Sequence, residues 1–128
     1  MRKMAVVGSR GIAMDYGLGI LEDFLVDISQ PFLGLDVNMV VSGGAKGADA
    51  VAEQWAKKYN FPITVFEPDW EKHGKAAGFV RNAQIADYGD FCVALWDGKS
   101  KGTRNTIDLF LDRGKPVHVL IIPLAEEV

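Results

Sequence analysis

Val37-Asn38-Met39-Val40-Val41-Ser42-Gly43-Gly44-Ala45-Lys46-Gly47-Ala48-Asp49 runs from an apolar stretch through a glycine-rich turn into a helical pattern. Ala48, Val51, Ala52, Trp55, Ala56 and Tyr59 share one stripe of that helix. The apolar residues of the strand are consecutive rather than alternating. Such a strand is buried on both faces, as in a parallel sheet covered by helices. The same unit recurs along the chain. Met4-Ala5-Val6-Val7 leads through Gly8-Ser9-Arg10-Gly11 to a helix predicted from Asp15 to Ser29, with Leu18, Leu21, Leu25 and Ile28 at helical spacing and a stop at Gln30-Pro31. Pro62 to Phe66 is a third strand, and the polar, aromatic segment Pro68 to Gly74 reads as a loop. A helix from Lys75 to Asp87, a strand from Phe91 to Trp96, a turn from Asp97 to Gly102, a helix from Thr103 to Asp112 and a strand from Val117 to Ile122 complete the pattern. The order βαβαβαβαβ predicts one α/β domain over residues 1–128: a doubly wound, mainly parallel five-stranded sheet with helices on both faces.

Composition supports this reading and narrows the function. The 128 residues are 48% hydrophobic and 24% charged, the balance of an ordinary globular domain rather than of a disordered tail. No apolar run approaches the roughly eighteen residues of a membrane span, and the N-terminal apolar run is too short for a signal peptide. A cytoplasmic protein without a membrane partner is expected. Cys92, the single cysteine, can form no internal disulfide. The net charge is −3, which argues against duplex DNA as the main partner.

Charge distribution says more than its sum. In such sheets ligands bind at the carboxyl ends of the strands, where the strand order reverses. Arg10, Lys46, Lys72, Lys75, Arg81, Lys99, Lys101 and Arg104 lie in strand-exit loops or one helical turn beyond them, eight of the fourteen basic residues. Asp49, Glu67, Asp69, Glu71 and Asp97 share that edge. The mixture suits a ligand carrying both phosphate and sugar hydroxyls. Ser42 to Gly47 has two readings: a phosphate cradle formed by backbone N–H groups at a helix start, or a tight turn whose helix is capped by Asp49. It is neither a Walker A loop nor a G-x-G-x-x-G turn. Thr103 could bond phosphate or cap its helix. Trp70, in a polar loop, could stack on a base. Trp96 could do so or pack, and Trp55 reads as core. His73 reads as solvated, and His118 and Cys92, inside strands, read as structural and inert. No His, Cys or carboxylate cluster has metal-ligand spacing, so no metal or cofactor is expected.

Taken together, several motifs resemble the YspA/YpsA-related branch of the SLOG superfamily over roughly the whole chain. They are Gly8-Ser9-Arg10, Ser42-Gly43-Gly44-Ala45-Lys46-Gly47-Ala48-Asp49, Asp69-Trp70, Ala76-Ala77-Gly78 with Arg81-Asn82, and Trp96-Asp97-Gly98 with Ser100-Lys101-Gly102-Thr103. The resemblance implies a small Rossmann-like domain of bacterial or phage type, a nucleotide-like ligand, and assembly into dimers or tetramers. Relatives include the Lonely Guy phosphoribohydrolases, which cut the N-glycosidic bond of nucleoside monophosphates, and DprA, which binds single-stranded DNA. Others are thought to sense ADP-ribose or cyclic-nucleotide relatives. In the hydrolase pattern a glutamate follows Gly-Thr by three positions, and here Thr106 stands in its place. Three functions are therefore weighed. The first is a sensor or sequestering protein for a nucleotide or nucleotide-sugar. The second is an N-glycosidase using Arg81 for phosphate and Asp97 for the sugar, with Asp49 and Asp69 as alternative carboxylates. The third is a single-stranded nucleic-acid binder.

Overall fold

In the computed structural model residues 2–28 and 37–122 are described. The expected stop at Gln30-Pro31 lies outside them. The chain runs β1 (Arg2–Gly8), α1 (Met14–Ile28), β2 (Val37–Ser42), α2 (Ala48–Lys58), β3 (Ile63–Val65), α3 (Trp70–His73), a 3₁₀ turn (Gly74–Ala76), α4 (Ala77–Tyr88), β4 (Phe91–Trp96), α5 (Lys101–Asp112) and β5 (Val117–Ile121). The five strands form one sheet in the order β3-β2-β1-β4-β5. Each neighbouring pair is parallel.

Pleating divides the central strands between two cores. Met4 and Val6 of β1 and Phe91, Val93 and Leu95 of β4 face Leu21 and Leu25 of α1 and Val51, Ala52 and Trp55 of α2. Ala5, Val7, Cys92 and Ala94 face Ile85 and Ala86 of α4 and Ile107 and Phe110 of α5. Helices thus cover both faces, which is why β1 and β4 read as unbroken apolar runs. Phe110 is fully buried; truncating such a side chain to alanine costs about 3–5 kcal/mol. Cys92 is fully buried as well, and burial pushes its thiol pKa far up, so it is inert. His118 packs against the Phe24 and Phe91 rings. Trp55 stacks on Phe61 at 4.9 Å.

Several element boundaries differ from the expected ones, and β3 is confined to Ile63–Val65. Pro68 to Gly74 is not all loop: Asp69 accepts the Lys72 N–H at 3.1 Å, capping the single turn of α3. The 3₁₀ turn then delays α4 to Ala77. Helix α5 begins at Lys101 because Ser100, not Thr103, is its N-cap.

Candidate functional site

Strand order reverses between β1 and β4, since β1 connects onward to β2 on one side while β4 follows on the other. Ser9 ties the two sides together. Its N–H donates to Leu95 O at 3.0 Å and its carbonyl accepts from Ala48 N at 3.2 Å. Its hydroxyl accepts the Asp97 N–H at 3.1 Å. A cleft of roughly 430 Å³ opens above this junction, within the range of about 300–1,000 Å³ common for small-ligand sites.

Most of the expected residues meet there. Gly8, Ser9 and Arg10 line the cleft from β1, Ala45 and Asp49 from the β2–α2 connection, and Arg81 and Asn82 from α4. Asp97, Ser100, Gly102 and Thr103 close it from the β4–α5 side. Gly44, Lys46 and Trp70 lie instead on an adjoining cleft that also contains Arg10, Ala45 and Arg81. Asp69 caps α3 and lines a third hollow. Trp96 lines none of these: it packs against the core under α5, and its indole N–H donates to Ser100 O at 3.1 Å. Ser42, Gly43 and Gly47 line none of these three hollows.

The glycine-rich loop is organised by side chains. The buried Ser42 hydroxyl donates to Glu53 Oε2 and accepts the Gly44 N–H, both at 3.2 Å. Asp49 does not cap α2; Gly47 occupies the N-cap without a side-chain bond. The Asp49 carboxylate reaches back to accept the Ala45 N–H at 3.1 Å. Ala48 N–H is taken by Ser9. The Gly44, Ala45 and Ala48 amides are thus engaged within the protein, and the cationic residues Arg10, Lys46 and Arg81 stand beside the loop.

Arg81 is the principal such side chain. Its Nε donates to Asn82 Oδ1 at 2.9 Å, and its Nη1 donates to Gly43 O. Asn82 in turn donates to Asn105 Oδ1 at 3.1 Å, which fixes α4 against α5. A Cβ on Gly43 would lie 2.7 Å from Arg81 Nη1 and 3.0 Å from Asp49 Oδ2, so glycine is what lets both groups close on the loop. Burial lowers the Arg81 pKa, Asp49 raises it, and the nearby Arg10 lowers it again. Burial raises the Asp49 pKa, against the opposing pull of the Ala45 amide and Arg81. Asp97 differs. Its Oδ1 accepts Lys99 N–H at 2.8 Å and Ser100 N–H at 2.9 Å, and these bonds hold its pKa low.

Thr103 and Thr106 are buried on the cleft wall. Thr103 Oγ1 donates to Ser100 Oγ at 3.0 Å, and Thr106 Oγ1 donates to Gly102 O at 3.2 Å. Sequence reasoning missed Glu53, whose signal was its position four residues after Asp49 on α2. It also missed the apolar lining residue Ile85, which carried no chemical signal. Among the described residues no group of His, Cys, Asp or Glu could hold a metal ion, and no helix is long and apolar enough to cross a membrane.

The family model for the YspA, cpYpsA-related SLOG family (YAcAr) matches residues 22–73. That stretch contains the Ser42–Asp49 segment on which the loop geometry depends. Gene 61 protein of Mycobacterium phage D29 is 41% identical over 85 residues, covering 62% of this chain and 68% of the phage protein. No solved structure matches. With the motif-bearing segment recognised and the expected parallel α/β sheet in place, the chain belongs to the YspA, cpYpsA-related SLOG family.

Proposed function

We propose that this protein binds a nucleotide or nucleotide-sugar, with its phosphate at Arg81 and Arg10, and acts as a sensor or sequestering protein. A nucleoside monophosphate, ADP-ribose or a cyclic-nucleotide relative would satisfy the site. The supporting observation is the convergence of two guanidinium groups on one polar cleft at the switch point. Arg10 forms no ion pair among the described residues, and the nearest counter-charge to Arg81 is the buried Asp49. An anion between the two arginines would relieve their repulsion. Family membership supports a nucleotide-related ligand in general terms. Calorimetry with a nucleoside monophosphate and its nucleoside tests the reading. Charged hydrogen bonds are worth about 1.5–3 kcal/mol, so Arg81→Ala should weaken the phosphorylated ligand by about tenfold to a hundredfold and the nucleoside far less. Equal losses for both would mean that Arg81 serves only the fold.

One observation favours the N-glycosidase as a second reading, with a changed carboxylate. Both carboxylates accept amides of their own loops; what sets Asp49 apart is that it is buried on the cleft wall beside Arg81. A carboxylate whose pKa is raised by burial suits acid–base work on a leaving base. Asp49→Asn should then suppress base release by about a hundredfold or more, and Asp97→Asn should not. Absence of base release by the wild type from common nucleotides would reject this reading and leave binding alone. A single-stranded nucleic-acid role is disfavoured by the carboxylates among the cations, and salt-dependent retention of single strands would revive it.

Self-association into a dimer or tetramer belongs to the same reading. The surface we propose for it is the start of α4, where Phe79 is 59% exposed beside Gly78; Phe24 of α1 packs on His118 within the fold. A monomer mass by light scattering at micromolar concentration would reject assembly.

A further inference from the structure

Arg10 and Arg81 line two clefts rather than one. Beside the switch-point cleft lies a second, of roughly 320 Å³, bounded by Arg10, Lys46, Pro68, Trp70 and Arg81. The two guanidinium groups and Ala45 form the wall common to both.

Trp70 distinguishes the second cleft. The other two tryptophans have structural employment: Trp55 is buried against Phe61, and Trp96 packs on the core and donates to Ser100 O. Trp70 is 56% exposed and makes no ring contact among the described residues. It is nonetheless held in place, as the first residue of α3, directly after the capping Asp69. An exposed indole carried on a capped helical turn at a cleft lined by three cationic residues combines the two elements that hold a nucleobase next to a phosphate: an aromatic face for stacking and positive charge for the backbone.

We infer that the Trp70 cleft is a second subsite, for a planar base, and that the ligand is a phosphate joined to a group on each side. One group stacks on Trp70, the other enters the switch-point cleft, and the phosphate lies between Arg10 and Arg81. The inference rests on the phosphate-binding reading above. A phosphate with one substituent fills one cleft and leaves the other in water. A phosphodiester or a diphosphate linking two groups fills both, and Lys46 on the Trp70 side supplies charge for the outer oxygens.

Calorimetry on the intact chain at one salt concentration tests this with ribose 5-phosphate, adenosine 5′-monophosphate, the diester adenylyl-adenosine, and the diphosphate adenosine diphosphate ribose. At least one two-ended probe should bind about tenfold or more tightly than adenosine monophosphate, and which one does so identifies the linkage. Base–aromatic stacking is strong enough that Trp70→Ala should erase most of that advantage while Trp70→Phe retains it. Ribose 5-phosphate affinity should be unchanged by Trp70→Ala, which shows that the arginines are undisturbed. Adenosine monophosphate binding as tightly as both two-ended probes, or an advantage that survives Trp70→Ala, overturns the second subsite alone. No binding of any phosphorylated probe overturns the nucleotide reading with it. An oligothymidine that binds more tightly than every small probe, with steep salt dependence, overturns it in favour of a single-strand groove.

Discussion

The β2–α2 and β4–α5 connections use similar residues in opposite ways. In the first, the loop amides are received by Ser42 Oγ, which itself donates to Glu53, and by the Asp49 carboxylate, buried within the field of Arg81. In the second, Asp97 Oδ1 receives two amides of its own turn, and Ser100 Oγ caps the helix that follows. One loop is braced from inside the protein; the other closes on itself at the surface. The difference teaches that two carboxylates which both accept amides of their own loops are set apart by burial and by the charge beside them. Asp49 is the one held where its charge is costly and an arginine faces it.

The largest expected effect separates the loops by their glycines. Gly47 has φ +70°, and a Cβ there would lie 2.3 Å from Ser9 O. Gly98 has φ +81° and open space around it. Backbone strain of about 1–3 kcal/mol applies to both, but the clash applies only to Gly47, where overpacking adds roughly 1–3 kcal/mol. Gly47→Ala should lower stability in thermal denaturation by about 3 kcal/mol or more, and Gly98→Ala by about 1 kcal/mol. Equal losses would break the contrast between a packed loop and a free one.

The serines come next. Ser42→Ala leaves the Gly44 N–H and the Glu53 carboxylate without their partner, at a cost of about 1–3 kcal/mol, and should also weaken ligand binding. Ser100→Ala removes an N-cap, typically about 1 kcal/mol. If urea titration ranks the two the other way round, the interior brace is not what holds the first loop.

The smallest effect carries opposite signs. Asp49 has its pKa raised on folding, so the folded protein holds its proton longer than the unfolded chain does. Stability relative to Asp49→Asn should therefore fall as pH rises from the ordinary carboxylate range through the raised value. Asp97 has its pKa lowered. Its contribution should be present above the ordinary range and be lost as pH falls through the lowered value; its exposure makes that contribution the slighter of the two. Denaturation midpoints of both variants between pH 3 and pH 7 would sharpen the comparison, and slopes of the same sign would refute it.

The main helices and strands and the polar edge at the strands' carboxyl ends were legible because each rests on short-range pattern. Val40-Val41 and Phe91 to Leu95 are unbroken apolar runs, which only a sheet covered on both sides accommodates. Glycine, serine and basic residues after those strands mark the edge where backbone turns and ligands meet. Their neighbourhood in sequence was enough to locate Ser9, Ala45, Arg81 and Thr103 around one cleft.

What each residue does there depended on contacts that no local pattern encodes. Arg81 meets Gly43 across thirty-eight positions, and Asp97 meets Ser9 across eighty-eight. Ser42 and Asp49 were visible as members of a phosphate-loop pattern, yet whether their loop's amides face a ligand or an interior acceptor is decided by the packing of α2 and α4 against the same strand ends. Thr103 lost the cap to Ser100 for a similar reason: a serine three residues earlier reached the free N–H first. Sequence by itself determined the sheet, its covered faces and the glycine-rich, polar edge where the clefts open, because hydrophobic periodicity and turn propensity act over a few residues. Only the tertiary structure decided which loop amides find interior acceptors, which carboxylate is buried and that Trp96 packs rather than lining a cleft. Hydrogen bonds and desolvation are settled between segments that meet only once the chain has folded.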